Sequence, residues 1–142
     1  MLTMYPAVFV KEDNGYSAIF PDLNFLSTCG ETLSETIEVA VDCLAGYIYT
    51  TRKMKDEDIP APSDMEDINP AAVAREIEVN PDDSFVNMIT VDVEEYAKTH
   101  FEKPVKKTLS IPAWLNDTAQ NRGINFSAVL QEALKERIGI TD

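Results

Sequence analysis

An α+β fold is predicted for the first hundred residues of this 142-residue chain, with a short strand-helix-helix tail after it. Three observations predict it. Alternating β-forming segments separated by turn residues occupy residues 5–29, a capping box opens a long amphipathic helix at Thr32, and charge divides sharply along the chain. Residues 1–100 hold 6 Lys and Arg against 20 Asp and Glu, a net charge of −14, whereas residues 101–142 hold 6 against 5, a net charge of +1. An acidic part repels nucleic acid and attracts basic partners, while a near-neutral tail can approach phosphates. The charge alone therefore predicts two functions on one chain.

The elements follow in order. Tyr5 to Lys11 is rich in β-formers, with Ala7 and Phe9 on one face and Val8 and Val10 on the other. Glu12-Asp13-Asn14-Gly15 is a turn, because Asn and Gly tolerate the positive φ that tight hairpins demand. Tyr16 to Phe20 alternates back, and Pro21-Asp22 ends it. Phe25 to Cys29 is a third strand closed by Gly30, which completes an antiparallel meander with a face that needs a cover. Thr32 and Glu35 have capping-box spacing, and Leu33, Ile37, Ala40, Val41, Leu44 and Ile48 recur at helical spacing, so the cover is a helix running to about Arg52.

Lys55 to Asp83 is acidic and carries Pro60, Pro62, Pro70 and Pro81. Within it, Ala71 to Glu78 reads as a short helix, with Asn69 as cap and Pro70 at the first helical position. Phe85 to Asp92 returns to strand character and is expected to rejoin the sheet as a fourth strand. Val93 to His100 reads as a brief acidic helix, and residues 101–104 as the linker between a unit at 1–100 and one at 105–142.

In the tail, Lys106 to Ile111 alternates Leu109 and Ile111 with Lys106, Thr108 and Ser110, a strand with one apolar and one polar face. Pro112 suits the start of a helix with Leu115, Thr118 and Ala119 on its inner face, and Gly123 suits its left-handed end. A second helix opens at Asn125-Phe126-Ser127 with Ser127 as cap, and buries Val129, Leu130, Ala133, Leu134 and Ile138. Trp114 reads as a core or interface anchor. Fewer than about 40 residues rarely bury a core alone, so this tail is expected to pair with a copy of itself. Two antiparallel strands then form a ribbon that fits the DNA major groove, with the polar strand face turned outward. The N-terminus of the second helix, with free N–H groups and partial positive charge, is a seat for phosphate.

The tail resembles the ribbon-helix-helix family of DNA-binding proteins over roughly residues 105–140. The resemblance implies that Lys106, Thr108 and Ser110 read bases and that the start of the second helix, at Asn125 and Ser127, clamps phosphate. Lys107 departs from it, standing at an inward strand position that the family fills with an apolar residue; its stem can cover the core edge while its ammonium reaches out toward DNA. The first half is similar to HicB-type antitoxins in Tyr16-Ser17-Ala18-Ile19-Phe20-Pro21-Asp22-Leu23, in Thr28-Cys29-Gly30-Glu31-Thr32, and in Ile59-Pro60-Ala61-Pro62-Ser63 after the helix. That resemblance implies a degenerate RNase H-like domain that neutralises a small basic RNA-cleaving toxin of the HicA type, and a tail that represses the operon encoding both. It extends nothing to residues 64–84. Asp22, Glu31 and Glu35 are the candidate toxin contacts, each equally readable as surface charge or a helix-dipole partner.

A nuclease reading competes with this one. Asp13 and Asp22 are the nearest carboxylates for a nuclease's Mg²⁺, but one sits in a turn and the other beside a strand-ending proline; His100, the single histidine, has no nucleophile placed near it by a motif. The expectation is no enzyme, no metal and no cofactor. Cys29 and Cys43 lack metal-ligand spacing and read as small buried side chains in a reducing cytoplasm. No segment approaches the length of a membrane span and no signal peptide is recognisable. The competing function is a stand-alone repressor whose acidic domain binds a ligand or another protein.

Overall fold

The computed structural model describes residues 1–55 and 57–140; Asp56, in the acidic stretch, and Thr141 and Asp142, at the end of the tail, lie outside the described residues. The chain divides into two compact units, Met1–Lys103 and Pro104–Asp142.

In the first unit, strands β1 (Thr3–Glu12), β2 (Gly15–Phe20), β3 (Leu26–Gly30) and β4 (Ser84–Val91) form one antiparallel sheet in the order β3-β2-β1-β4. The hairpin between β1 and β2 closes on Asp13 and Asn14, with Glu12 opposite Gly15. Gly15 has φ +148°, and a Cβ there would collide with the carbonyl oxygen of Gly30 at the end of β3. Only glycine lets the two turns approach this closely. Pro6 lies inside β1, where a proline normally breaks a ladder, but β2 pairs with β1 only from Val8 onward. At Pro6 the strand is bonded on the β4 side alone, so the missing N–H disrupts nothing.

Helix α1 (Leu33–Thr50) covers one face of the sheet. Its capping box forms: Glu35 N–H donates to Thr32 Oγ1 at 3.1 Å, while the Glu35 carboxylate accepts from the Glu31 N–H at 3.1 Å, one residue earlier than the usual reciprocal bond. Ala40, Leu44, Ala45 and Ile48 pack onto Tyr5, Ala7, Phe9, Ala18, Phe20 and Leu23. Thr36 is also buried, and its hydroxyl donates back to the Thr32 carbonyl at 2.7 Å, which removes the cost of an unpaired polar group. Fully burying a side chain of the size of Phe9, Phe20 or Leu44 contributes about 1.5–3 kcal/mol, so this cluster dominates the unit's stability. Helix α3 (Val93–His100), capped by Asp92, adds Val93 to the same cluster.

The opposite face is covered as well. Helix α2 (Pro70–Glu76), capped by Asn69 Oδ1 on Ala72 N–H at 3.2 Å, buries Ala74 against Val8, Val10 and Ile19, with Ile68, Val73, Ile77, Val79 and Val86 around it. Segment 64–84, to which the resemblance extended nothing, is therefore the second layer of the fold. It explains why β1 is apolar on both faces: a strand between two covers needs no polar side.

Residues 104–140 form helices α4 (Ala113–Asn121) and α5 (Phe126–Ile138). Gly123, at φ +67°, lies in the connection between them. Pro112 stands at the cap position, one residue before its expected place in the first turn. The strand expected at 106–111 is not formed, and residues 102–112 carry no regular secondary structure. A strand exists only as part of a ladder, and a single tail supplies no second strand.

Candidate nucleic-acid and partner interfaces

Among the described residues of the second unit none is buried. The side chains expected inside lie open instead: Leu109 is 62% exposed, Val129 51%, Leu134 54% and Ile138 70%, and Trp114 reaches 69%. Val129, Leu134 and Ile138 do fall on one helix at the expected spacing, but two helices with 9 and 13 residues cannot enclose them. An apolar surface this extensive marks an interaction site.

Lys106, Lys107, Thr108 and Ser110 are all exposed in the extended stretch before α4, without a hydrogen bond or ion pair among the described residues. The cap of α5 is Asn125, not Ser127: Asn125 Oδ1 accepts from the Ala128 N–H at 3.1 Å, while Ser127, inside the first turn, accepts from Gln131 Nε2 at 3.2 Å. The signal was present in the sequence, since Asn is as good a cap as Ser and stands three residues before Ala128. One orphan N–H of α5 is thus satisfied by Asn125, and the others of the first turn remain for an anion.

The three acidic candidates of the first unit separate in role. Asp22 is engaged inside the chain: its carboxylate accepts from the Ser63 N–H at 2.8 Å and from the Ser63 hydroxyl at 2.7 Å, tying the segment after α1 to the end of β2. The Tyr5 hydroxyl donates to the Pro60 carbonyl in the same segment, and burial raises the Tyr5 pKa above its ordinary value. Glu35 is half of the α1 capping box. Glu31 is exposed, and its carboxylate has no partner among the described residues. Asp13 lies exposed in the hairpin turn, so the two carboxylates weighed for a metal do not converge. Among the described residues no group of three or more His, Cys, Asp or Glu could hold a metal ion.

Asp22 yields a direct prediction. Asp22→Ala removes two charge-assisted bonds and should lower stability by about 1–3 kcal/mol, with Asp22→Asn milder because an amide can still accept from the Ser63 N–H. Urea unfolding measures both. A change in Asp22→Ala within about 0.5 kcal/mol would return this residue to the free surface.

Other polar groups of the unit are occupied. His100 stacks on Tyr96 with ring centroids 3.8 Å apart, and the Tyr96 hydroxyl donates to Asp42 at 2.9 Å. The shallow cleft between α1 and α3 is lined by Tyr49, Lys53, Val93, Ala97 and Glu102, but Lys53 and Glu102 are paired to each other at 3.1 Å. The two cysteines are free thiols. Cys29 is exposed on β3, contrary to its expected burial, because on this edge strand it faces the side opposite α1, where α2 packs on β1 and β4; Cys43 is half-buried, and burial raises its pKa. No described helix is long and apolar enough to cross a membrane.

No family model matches the chain, and no curated protein sequence does. Solved structures do. A toxin–antitoxin complex from Streptococcus pneumoniae contains a chain 31% identical to this one, with a TM-score of 0.63 over 96% of this chain and 99% of that one. The antitoxin HicB of Burkholderia pseudomallei is 19% identical with a TM-score of 0.46, over 96% of this chain and 97% of that one. An antitoxin HicB3 is 22% identical with a TM-score of 0.44, over 99% and 100%. With a near-full-length match above 30% identity, a four-stranded antiparallel sheet under α1, and the Phe20-Pro21-Asp22 and Gly30-Glu31-Thr32 turns at its ends, the chain belongs to the HicB-type antitoxins of toxin–antitoxin systems.

Proposed function

We propose that this chain neutralises a small basic RNA-cleaving toxin of the HicA type through its acidic first unit, and represses the operon encoding both by binding operator DNA as a dimer through residues 104–140. The observation that carries the second half is the open apolar side of α4 and α5, with the unpaired stretch 106–111 before it. A second copy supplies both missing parts at once: a strand to complete the ladder, and an apolar face to close the core. Leu109 and Ile111 then turn inward, and Lys106, Thr108 and Ser110 line the ribbon surface that enters the major groove. The first turn of α5 and Lys107 approach phosphate. The first half of the reading is supported by the net charge of −14 over residues 1–100, which draws a basic RNA-binding protein and competes with its RNA. The first unit reads as a worn-down RNase H-like domain whose Asp22 serves the fold rather than a metal. Both activities belong to the cytoplasm, where the toxin's RNA and the operator are found.

The tail's part is tested at one residue. Lys106→Ala should weaken operator binding and reduce the slope of log affinity against log salt by about 1, read by fluorescence anisotropy across a salt series. Unchanged affinity and slope would mean that this stretch does not touch DNA.

A further inference from the structure

The outer edge of β4 pairs with no further strand among the described residues. β4 ends the strand order and bonds to β1 on one side only. Its eight residues, Ser84–Val91, include no charged residue, no proline and no glycine. Edge strands are ordinarily protected by such a residue, a bulge or a cover, because a free row of N–H and C=O groups is a template for another strand. Opposed residues of an antiparallel ladder alternate between pairs that exchange hydrogen bonds and pairs that do not. Met88 stands opposite Pro6, which has no N–H to give, and the Met88 N–H is accepted by Asn87 Oδ1 at 3.0 Å. Met88 therefore turns its backbone away from β1, and Ser84, Val86 and Thr90, at even spacing from it, turn the same way. The opposite edge, β3, is shorter at five residues and leads directly into the cap of α1.

Charge selects the occupant. Asp82 and Asp83 precede β4, and Asp92, Glu94 and Glu95 follow it. Should a second copy add its own β4 antiparallel, with Val86 opposite Met88 so that outward residues meet, Asp82 would stand opposite Asp92, and like charges directly opposed are destabilising. A strand carrying Lys or Arg at its ends meets these acids favourably instead. We propose that the edge of β4 takes an extended segment of a basic protein as a fifth strand, bonded to the backbones of Ser84, Val86, Met88 and Thr90 while its basic ends face Asp82 and Asp92. The proposal rests on the antitoxin reading and names the place on the acidic unit where the toxin docks. Asn87 acts as a placeholder there: its side chain satisfies the Met88 N–H until the incoming strand's carbonyl replaces it.

Two substitutions in the full chain test this. Thr90→Lys sets a positive charge on the exposed edge, against a basic strand. Met88→Pro deletes an outward N–H without removing a bond to β1. Ser27→Lys, on β3, is the control. Binding of the toxin from the adjacent gene, by calorimetry, should weaken tenfold or more in both β4 variants and stay within twofold in the control. Amide exchange of the unmodified chain, which does not depend on any variant folding, should slow at Val86, Met88 and Thr90 when toxin is added. Full affinity in Thr90→Lys with unchanged exchange at these amides would overturn the docking edge and leave the antitoxin reading intact. Failure of the unmodified chain to bind the toxin would overturn both. Protection at β4 that rises with the chain's own concentration would make a second copy the occupant and overturn the proposal.

Discussion

Truncation after Lys103 is expected to abolish dimerisation and operator binding while toxin neutralisation persists. Both hydrophobic clusters of the first unit draw their residues from positions up to Phe101, so nothing in its core is lost with the tail. The tail, by contrast, buries no described residue on its own and holds the exposed lysines and helix start proposed to meet DNA. Operator affinity should fall by about 10³-fold or more, to the level of non-specific association or below. Sedimentation of the truncated chain should show a monomer, and added toxin should still be bound stoichiometrically. A truncated chain that folds but no longer holds the toxin would show that the two tasks are not divided between the two units.

The second large effect is on stability. Phe9 lies in the central strand β1, is 0% exposed, and stacks on Phe85 with ring centroids 5.3 Å apart and planes 11° from parallel. Phe9→Ala empties the space beneath α1, and truncations of this kind cost roughly 3–5 kcal/mol. Since domains of this size are stable by only about 5–15 kcal/mol, the variant should unfold at far lower urea and lose partner binding with it. A loss below about 1 kcal/mol would mean that the sheet and α1 are not packed as described. The same truncation at Leu134, 54% exposed in the single chain, should act differently. Its cost should depend on protein concentration, because the proposed pairing of two tails would bury this side chain.

The local elements were legible because each is written in short-range chemistry. Thr32 with Glu35, Asn69 with Pro70, and the Val93–His100 helix match the structure because caps and turns depend on residues three or four apart. Phe25 was expected to start β3, yet it has φ +57°, directly after Asn24 at +56°, and the strand begins at Leu26. Two consecutive left-handed residues turn the chain into β3, and a bulky aromatic gives no sign of that conformation. The Asp22–Ser63 clamp spans 41 residues, beyond the reach of periodicity. Covering of the second sheet face by α2 was foreshadowed by Val8 and Val10, whose side the meander alone left without a partner. In the tail, the spacing of Leu115, Val129, Leu134 and Ile138 correctly marked apolar faces but not what covers them. Sequence periodicity places residues on a face; only an assembly decides whether that face is inside.

The central claim is that this chain silences a nuclease. The measurement is RNA cleavage by the protein of the adjacent gene, titrated with the full chain. Cleavage that stops near stoichiometric addition is the result predicted. Cleavage that continues at excess, or an adjacent protein without nuclease activity, would contradict it and leave a DNA-binding regulator whose acidic unit serves another partner.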